Sequence, residues 1–232
     1  MSGQDGREAR RRAVLAIDTA TTRVVVATGA ADGTVGGVST WAAGHRHGET
    51  LLPSIGRSLE EQGLRREDLA GIVVGTGPGA FTGLRVGMAT AKGLAHGLRI
   101  PLVGVATGEV LLAAGAVERP VLLLPAGPSD RVLVRPGQPP TLLAGGQEPE
   151  LAPDEVLLAV DLEGRAPDDA VARGEAARDG LGATLLRLGA ERLTALEGSG
   201  LGELETVVPE YVTLPRGART GDGTVEWSRD HR

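Results

Sequence analysis

Apolar residues in the first part of the chain follow two different periods. Ala13–Asp18 (AVLAID) is a continuous apolar run closed by a carboxylate, the pattern of a short buried strand. Arg23–Thr28 (RVVVAT) is β-branched and predicts a second strand. A turn at Ala30–Gly33 (AADG) leads into Val35–Trp41, the third strand of an antiparallel meander. From Glu49 to Gln62 the period changes. Leu51, Leu52, Ile55 and Leu59 fall on one helical face, and Gly63 marks its stop. Arg65–Leu69 reads as one further helical turn. Gly71–Gly75 is a short buried strand, followed by a glycine-rich loop and a second helix to about His96. Ile100–Val105 is a strand and Thr107–Ala116 a helix. The order β-β-β-α-β-α-β implies a mixed sheet with helices packed on it.

Beyond Glu118 the texture changes. Strand-like pieces (VLLLP, RVLV, TLLA, EVLLAV) are separated by turns rich in Pro and Gly. A helical stretch is expected within Asp168–Leu196, broken near Gly180 and Gly182, and Val207–Val212 reads as a last strand. The expected organisation is a solvated, disordered tail over 1–12, a first lobe over 13–105, a smaller, divergent second lobe over 106–206, and a closing segment over 207–232 that returns to the first lobe.

Composition narrows the functions. The 232 residues contain no cysteine, which excludes disulfides, thiolate metal sites and cysteine nucleophiles. A net charge of -6 argues against the chain gripping nucleic acid by itself, because phosphate contacts need a basic surface. Its few aromatics (Trp41, Phe81, Tyr211 and Trp227) give no platform for base stacking. No apolar run approaches the roughly 20 residues of a membrane helix. The basic N-terminus is followed too soon by Asp18 for a secretory signal, so a cytoplasmic location is expected.

Most of the chemical information lies in Gly75–Gly87, GTGPGAFTGLRVG. A glycine-rich turn between strand and helix can cradle phosphate, admit a close partner, or simply be tight. Gly75, Gly77 and Ala80 satisfy the dinucleotide pattern G-x-G-x-x-G/A, but no acidic residue ends the next strand, and Pro78 removes a donor. No Gly-Lys-Ser/Thr follows, so this is not a Walker A loop. In the following helix Gly83, Gly87 and Ala91 recur every four residues. Glycine inside a helix costs about 1 kcal/mol relative to alanine, tolerable where something packs close. That neighbour is either the chain's own sheet and helices or another subunit.

Two weaker signals remain. Asp18 and Thr19 stand at a strand-to-hairpin turn, where an acidic residue for Mg²⁺ and turn backbone for phosphate resemble the first phosphate loop of actin-like ATPases. The plain alternative is an Asp bonding its own turn. His45, His47 and Glu49 carry ligand types for a metal, but sit where a solvated helix entry is the simpler reading.

Taken in order, IDTATTRVVVATG, HGETLLPSI and GTGPGAFTGLRVGMATAKGLAHGLRIPLVGV resemble the TsaB (YeaZ) family over about residues 13–112. PEYVTLPRG, from Pro209, resembles the family's closing segment. The resemblance implies an α/β, two-lobed actin-like ATPase (ribonuclease H-like) fold, with mixed sheets flanked by helices and a reduced second lobe. It implies a non-catalytic subunit of the bacterial system that makes N6-threonylcarbamoyladenosine at position 37 of tRNA. The partner TsaD is the transferase, and TsaE joins the complex. tRNA is met only through that complex, and the chain forms a homodimer when alone.

Carried over by position, the pairing surface falls on the two first-lobe helices: His47, Leu51, Leu52 and Ile55 on one, Phe81, Gly83, Arg85, Gly87, Met88 and Ala91 on the other. Asp18 and Thr19 stand as a vestigial phosphate loop. No resident cofactor is implied, with ATP or ADP at the complex interface left open. The positions matching TsaD's metal-binding histidines are Thr107 and Leu111, which cannot ligate such an ion. The competing reading is a small-molecule phosphotransferase of the actin-like class. Its second phosphate loop and adenosine contact would have to come from Asp161 and Gly145-Gly146. A metallopeptidase reading lacks a metal site.

Overall fold

The computed structural model describes residues 13–42, 47–196, 204–212, 218–221 and 224–227. The expected tail over 1–12 and His45 lie outside the described residues. The first sheet contains β1 (Ala13–Asp18), β2 (Arg23–Ala30), β3 (Val35–Ala42), β4 (Leu69–Gly75) and β5 (Leu102–Val105), in the order β3-β2-β1-β4-β5. β1, β2 and β3 form the expected antiparallel meander, while β4 and β5 run parallel to β1. Parallel strands need crossovers, and two helices supply them. These are α1 (His47–Glu61) before β4 and α2 (Phe81–Leu98) before β5. Arg66–Asp68 is a single 3₁₀ turn.

Both faces of this sheet are covered, which explains the unbroken apolar run of β1. Leu15, Ile17, Val24, Val26, Ile72 and Val74 point one way, onto Leu51, Ile55 and Leu59 of α1 and Met88, Ala91 and Ala95 of α2. Alternate residues, Val14, Ala16, Val25, Ala27 and Val73, point the other way. There they meet α3 (Thr107–Ala114) and α5 (Leu181–Ala195) through Val110, Leu111, Leu181, Leu185 and Leu186. The second half of the sequence therefore supplies a helix to the first sheet.

The second sheet has the order β8-β7-β6-β9, from β6 (Pro120–Pro125), β7 (Arg131–Val134), β8 (Thr141–Leu143) and β9 (Val156–Ala159). Its pairings repeat those of β3-β2-β1-β4: two antiparallel contacts, then one parallel. Leu122, Leu124, Val132 and Val134 share the α3–α5 core with the first sheet, while Val121, Leu123, Leu133 and Leu157 form a separate core with Leu162 and Ala170. α4 (Asp168–Asp179) carries Ala170 and is separated from α5 at Gly180. Gly182, the other expected break, lies inside α5. β10 (Ala218–Gly221) and β11 (Thr224–Trp227) form an antiparallel hairpin.

One expected element is different. Val207–Val212 is not a strand. Val207 is buried in the first-sheet core, and the Glu210 N–H donates to Thr76 O at 2.7 Å. Pro209 has no N–H to give to a ladder. The segment is a strap across the glycine-rich loop rather than a sixth strand.

Candidate functional site

The β1–β2 turn and the glycine-rich loop are built against one another. Asp18 ends β1 with its carboxylate fully buried. Oδ1 accepts the Ala20 N–H at 2.9 Å, and Oδ2 accepts the Thr107 hydroxyl at 2.6 Å. Thr107 Oγ1 in turn accepts the Gly77 N–H at 3.1 Å. Thr107 therefore clasps the end of β1, the glycine-rich loop and the start of α3 together. Gly75 faces Asp18 so closely that an added methyl group would overlap Oδ2.

The loop closes the turn from the other side. Ala80 N–H donates to Ala20 O at 2.7 Å, and the Thr19 hydroxyl donates to Gly83 O at 2.8 Å. Side chains at Gly79 or Gly83 would run into the backbone oxygens of Ala20 or Thr19, and one at Gly87 into the Thr19 side chain. The glycines serve close backbone approach, and the group they approach is the chain's own turn. Asp18 and Thr19, expected as a vestigial phosphate loop, lie under this plug with no open face toward a phosphate or Mg²⁺.

Burial pushes the Asp18 carboxyl up from 3.8 to about 6, while the Thr107 hydroxyl and the Ala20 amide pull it down. The folded state therefore takes up a proton between about pH 6 and pH 4 that the unfolded chain does not. The Asp18 contribution to stability rises as pH falls through that window, by up to about 3 kcal/mol. Asp18→Asn removes that contribution. Urea unfolding from pH 4 to 7.5 is expected to show wild type gaining on the variant as pH falls. A constant difference between the two would refute the shift.

Asp161, the candidate for a second phosphate loop, follows β9 of the second sheet and faces the first turn of the first sheet. Its Oδ2 accepts the Thr22 N–H at 2.7 Å, and its Oδ1 accepts the Thr22 hydroxyl at 2.6 Å. Arg178, buried like Asp161, forms an ion pair with it. Both turns that an actin-like enzyme would use for phosphate are thus engaged with this chain's own groups. Gly145-Gly146 does not join them. Gly145 N–H donates to Asp130 Oδ1 at 3.0 Å, beside the start of β7 and the end of β8.

The partner-surface residues divide into two sets. Leu51, Ile55, Met88 and Ala91 are buried under the first sheet, and Gly83 and Gly87 against Thr19. They are core residues in this structure. Leu52, Arg85 and half-buried Phe81 remain available; the side chain of His47, at the start of α1, lies outside the described set. Phe81 packs on Tyr211 of the strap, with ring centroids 4.9 Å apart and planes tilted by 38°. The Arg85 guanidinium carbon lies 3.9 Å from the Phe81 centroid, and its Nε donates to Tyr211 Oη at 3.3 Å.

α2 carries a second row of small residues that the sequence reading did not separate from the first. Ala89, Gly93 and Gly97 are exposed, and a Cβ at Gly93 or Gly97 would meet nothing within 4 Å. Gly56 of α1 is equally open, and Leu52 beside it is 53% exposed. The four-residue spacing was the visible signal for the outer row, as for the inner one.

At Thr107 and Leu111, the hydroxyl is committed to Asp18 and the leucine is fully buried in the α3–α5 core. Among the described residues, no three His, Asp or Glu side chains come together as a metal would need.

The family described as "TsaD: tRNA N6-adenosine threonylcarbamoyltransferase" matches residues 23–140, half of the chain. The chain belongs to that family. Curated relatives are similar to part of the chain. The Escherichia coli tRNA threonylcarbamoyladenosine biosynthesis protein TsaB is 39% identical over 103 residues, 44% of this chain and 43% of that protein. The Trichlorobacter lovleyi tRNA N6-adenosine threonylcarbamoyltransferase is 42% identical over 86 residues, 37% of this chain and 25% of that protein. An uncharacterized Mycobacterium tuberculosis protein is 41% identical over 99 residues, 42% of this chain and 47% of its own length. The matches thus span less than half the length of these curated relatives. Among solved structures, YeaZ from Pseudomonas aeruginosa superposes with a TM-score of 0.63 at 24% identity, covering 87% of this chain and all of that one. The fold is mixed α/β, with two sheets flanked by helices. Among the described residues, no helix is long and apolar enough to cross a membrane.

Proposed function

We propose that this chain is a TsaB-type, non-catalytic subunit of tRNA N6-threonylcarbamoyladenosine synthesis. It binds the TsaD transferase and holds it in its active arrangement. The observation that carries this reading is the closed Asp18 turn. The family's glycine-rich segment is present, yet it plugs the chain's own phosphate-loop position instead of framing an open one. Thr107 and Leu111, where TsaD is expected to hold its metal, are built into this protein's clasp and core. TsaE and tRNA are met through the assembled complex, in keeping with the net charge of -6.

The surface offered to TsaD, or to a second copy when TsaD is absent, is the outer side of α1 and α2: Leu52, Gly56, Ala89, Gly93 and Gly97, with Phe81 and Arg85 at one end. Small residues facing open space on neighbouring helices permit another helix to approach closely. The reading is tested by mixing the full chain with the TsaD of the same organism and measuring mass by light scattering after size exclusion. A one-to-one complex is expected. Its absence at micromolar concentration, with tRNA and ATP present, would overturn the assignment.

A further inference from the structure

A cleft of about 560 Å³ opens between the lobes, at the opposite end of β6 and β9 from the Asp161–Thr22 contact. Its walls are apolar and stiff: Pro78 of the glycine-rich loop, Leu112 of α3, Val134 at the end of β7, and Pro136 and Pro140 beyond it. Volume and lining are those of a small-molecule site, which is typically a preformed apolar pocket with a few polar groups.

Charge decides what such a pocket would take. Three charged residues line it: Glu109, Arg135 and Glu210. Arg135 is already neutralised, giving Nε and Nη2 to the two Glu155 oxygens at 2.8 and 3.0 Å, and Nη2 also to Glu150 O at 2.7 Å. Glu109 is paired with Arg192. Glu210 has no cation bonded to it among the described residues, and burial alone raises its carboxyl above the ordinary value. Its backbone is fixed by the bond to Thr76, so the carboxylate is presented from a held segment. An anionic ligand would meet an uncompensated carboxylate here. A cationic one would supply the charge-assisted hydrogen bond that Glu210 lacks.

We infer that this cleft binds a small organic cation, a guanidinium or ammonium group on an apolar body, with Glu210 as its counter-ion and the proline-lined walls around the body. The inference goes beyond the role in TsaD binding and does not depend on it, since it concerns the isolated chain.

Three probes of one shape separate charge from apolar fit: benzamidinium, neutral benzamide and anionic benzoate. Each is titrated into the full, isotope-labelled chain while the backbone amides of Gly108, Leu112, Gly137 and Glu210 are followed by NMR. Benzamidinium is expected to shift these amides saturably, with a dissociation constant on the order of 1 mM for so small a ligand. Benzamide should bind about ten-fold more weakly, and benzoate not at all. Glu210→Gln keeps the strap's backbone bond and should leave the rest of the spectrum in place. It should weaken benzamidinium by about ten-fold. Equal binding of benzamide or benzoate, unchanged affinity in a folded Glu210→Gln protein, or no saturable shift up to about 50 mM benzamidinium would each overturn the proposal.

Discussion

Gly83→Val is expected to lower the unfolding free energy by about 3 kcal/mol, a large share of the stability of an ordinary domain. The helix itself does not ask for glycine there, since most residues would favour it. The cost comes from the turn beneath. A Cβ at Gly83 overlaps Thr19 O, and backbone cannot swing aside as a side chain can. At Gly87 the collision is with the Thr19 side chain. Thr19→Ala should therefore relieve part of the damage from Gly87→Ala and none of that from Gly83→Val. Urea denaturation of the single and double variants measures both effects. A Gly83→Val protein within about 0.5 kcal/mol of wild type would mean the loop does not plug the turn as described.

Asp161→Ala should cost about 4 kcal/mol, because Arg178 keeps a buried charge whose one remaining carboxylate partner among the described residues is the exposed Glu175, at 3.4 Å. Arg178 is only 6% exposed, and Thr22 loses the acceptor for its N–H and its hydroxyl at the same time. Asp161 also has φ of 57°, a left-handed conformation that Asp accepts more readily than Ala. Asp161→Asn separates these contributions: it keeps the local backbone preference and an acceptor oxygen, and should lose less. Adding Arg178→Met to Asp161→Ala should recover stability, because the stranded charge is then removed. Thermal or urea unfolding of the four proteins decides it. Equal losses for Asp161→Ala and the double variant would show that the pair does not carry the contact.

The strands of the first sheet were legible because a sheet covered on both faces leaves apolar runs in the sequence. Ala13–Asp18 and Gly71–Gly75 are such runs. The two helices of that lobe were legible from spacing alone, as with Leu51, Ile55 and Leu59. What periodicity could not show was the neighbour each face meets. In α2 both rows of small residues look alike in sequence. Only the fold shows that Gly83 and Gly87 face Thr19 while Gly93 and Gly97 face open space. Leu51, Ile55, Met88 and Ala91 follow the same rule: apolar helix positions cover the chain's own sheet before they serve a partner. The clasps were hidden for another reason. Thr107 lies 89 residues from Asp18, and Asp161 lies 139 from Thr22, and single polar residues carry no periodic signal. The strap has the sequence of a strand, with β-branched Val207 and Val208, whereas Pro209 and the bond from Glu210 to Thr76 keep it out of the sheet.

The two faces of α2 also determine how the central claim is tested. A large residue at Gly87 would break the turn, so its failure to bind would say nothing about a surface. Gly93→Arg places bulk and charge on the exposed outer row, where an added Cβ meets nothing within 4 Å. The measurement is the mass of complexes formed with the TsaD of the same organism, for wild type and Gly93→Arg, with unfolding midpoints taken on the same samples. A one-to-one complex is expected for wild type, and loss of that complex by Gly93→Arg with the midpoint unchanged. A Gly93→Arg protein that still pairs with TsaD as wild type does would contradict the assignment of that face.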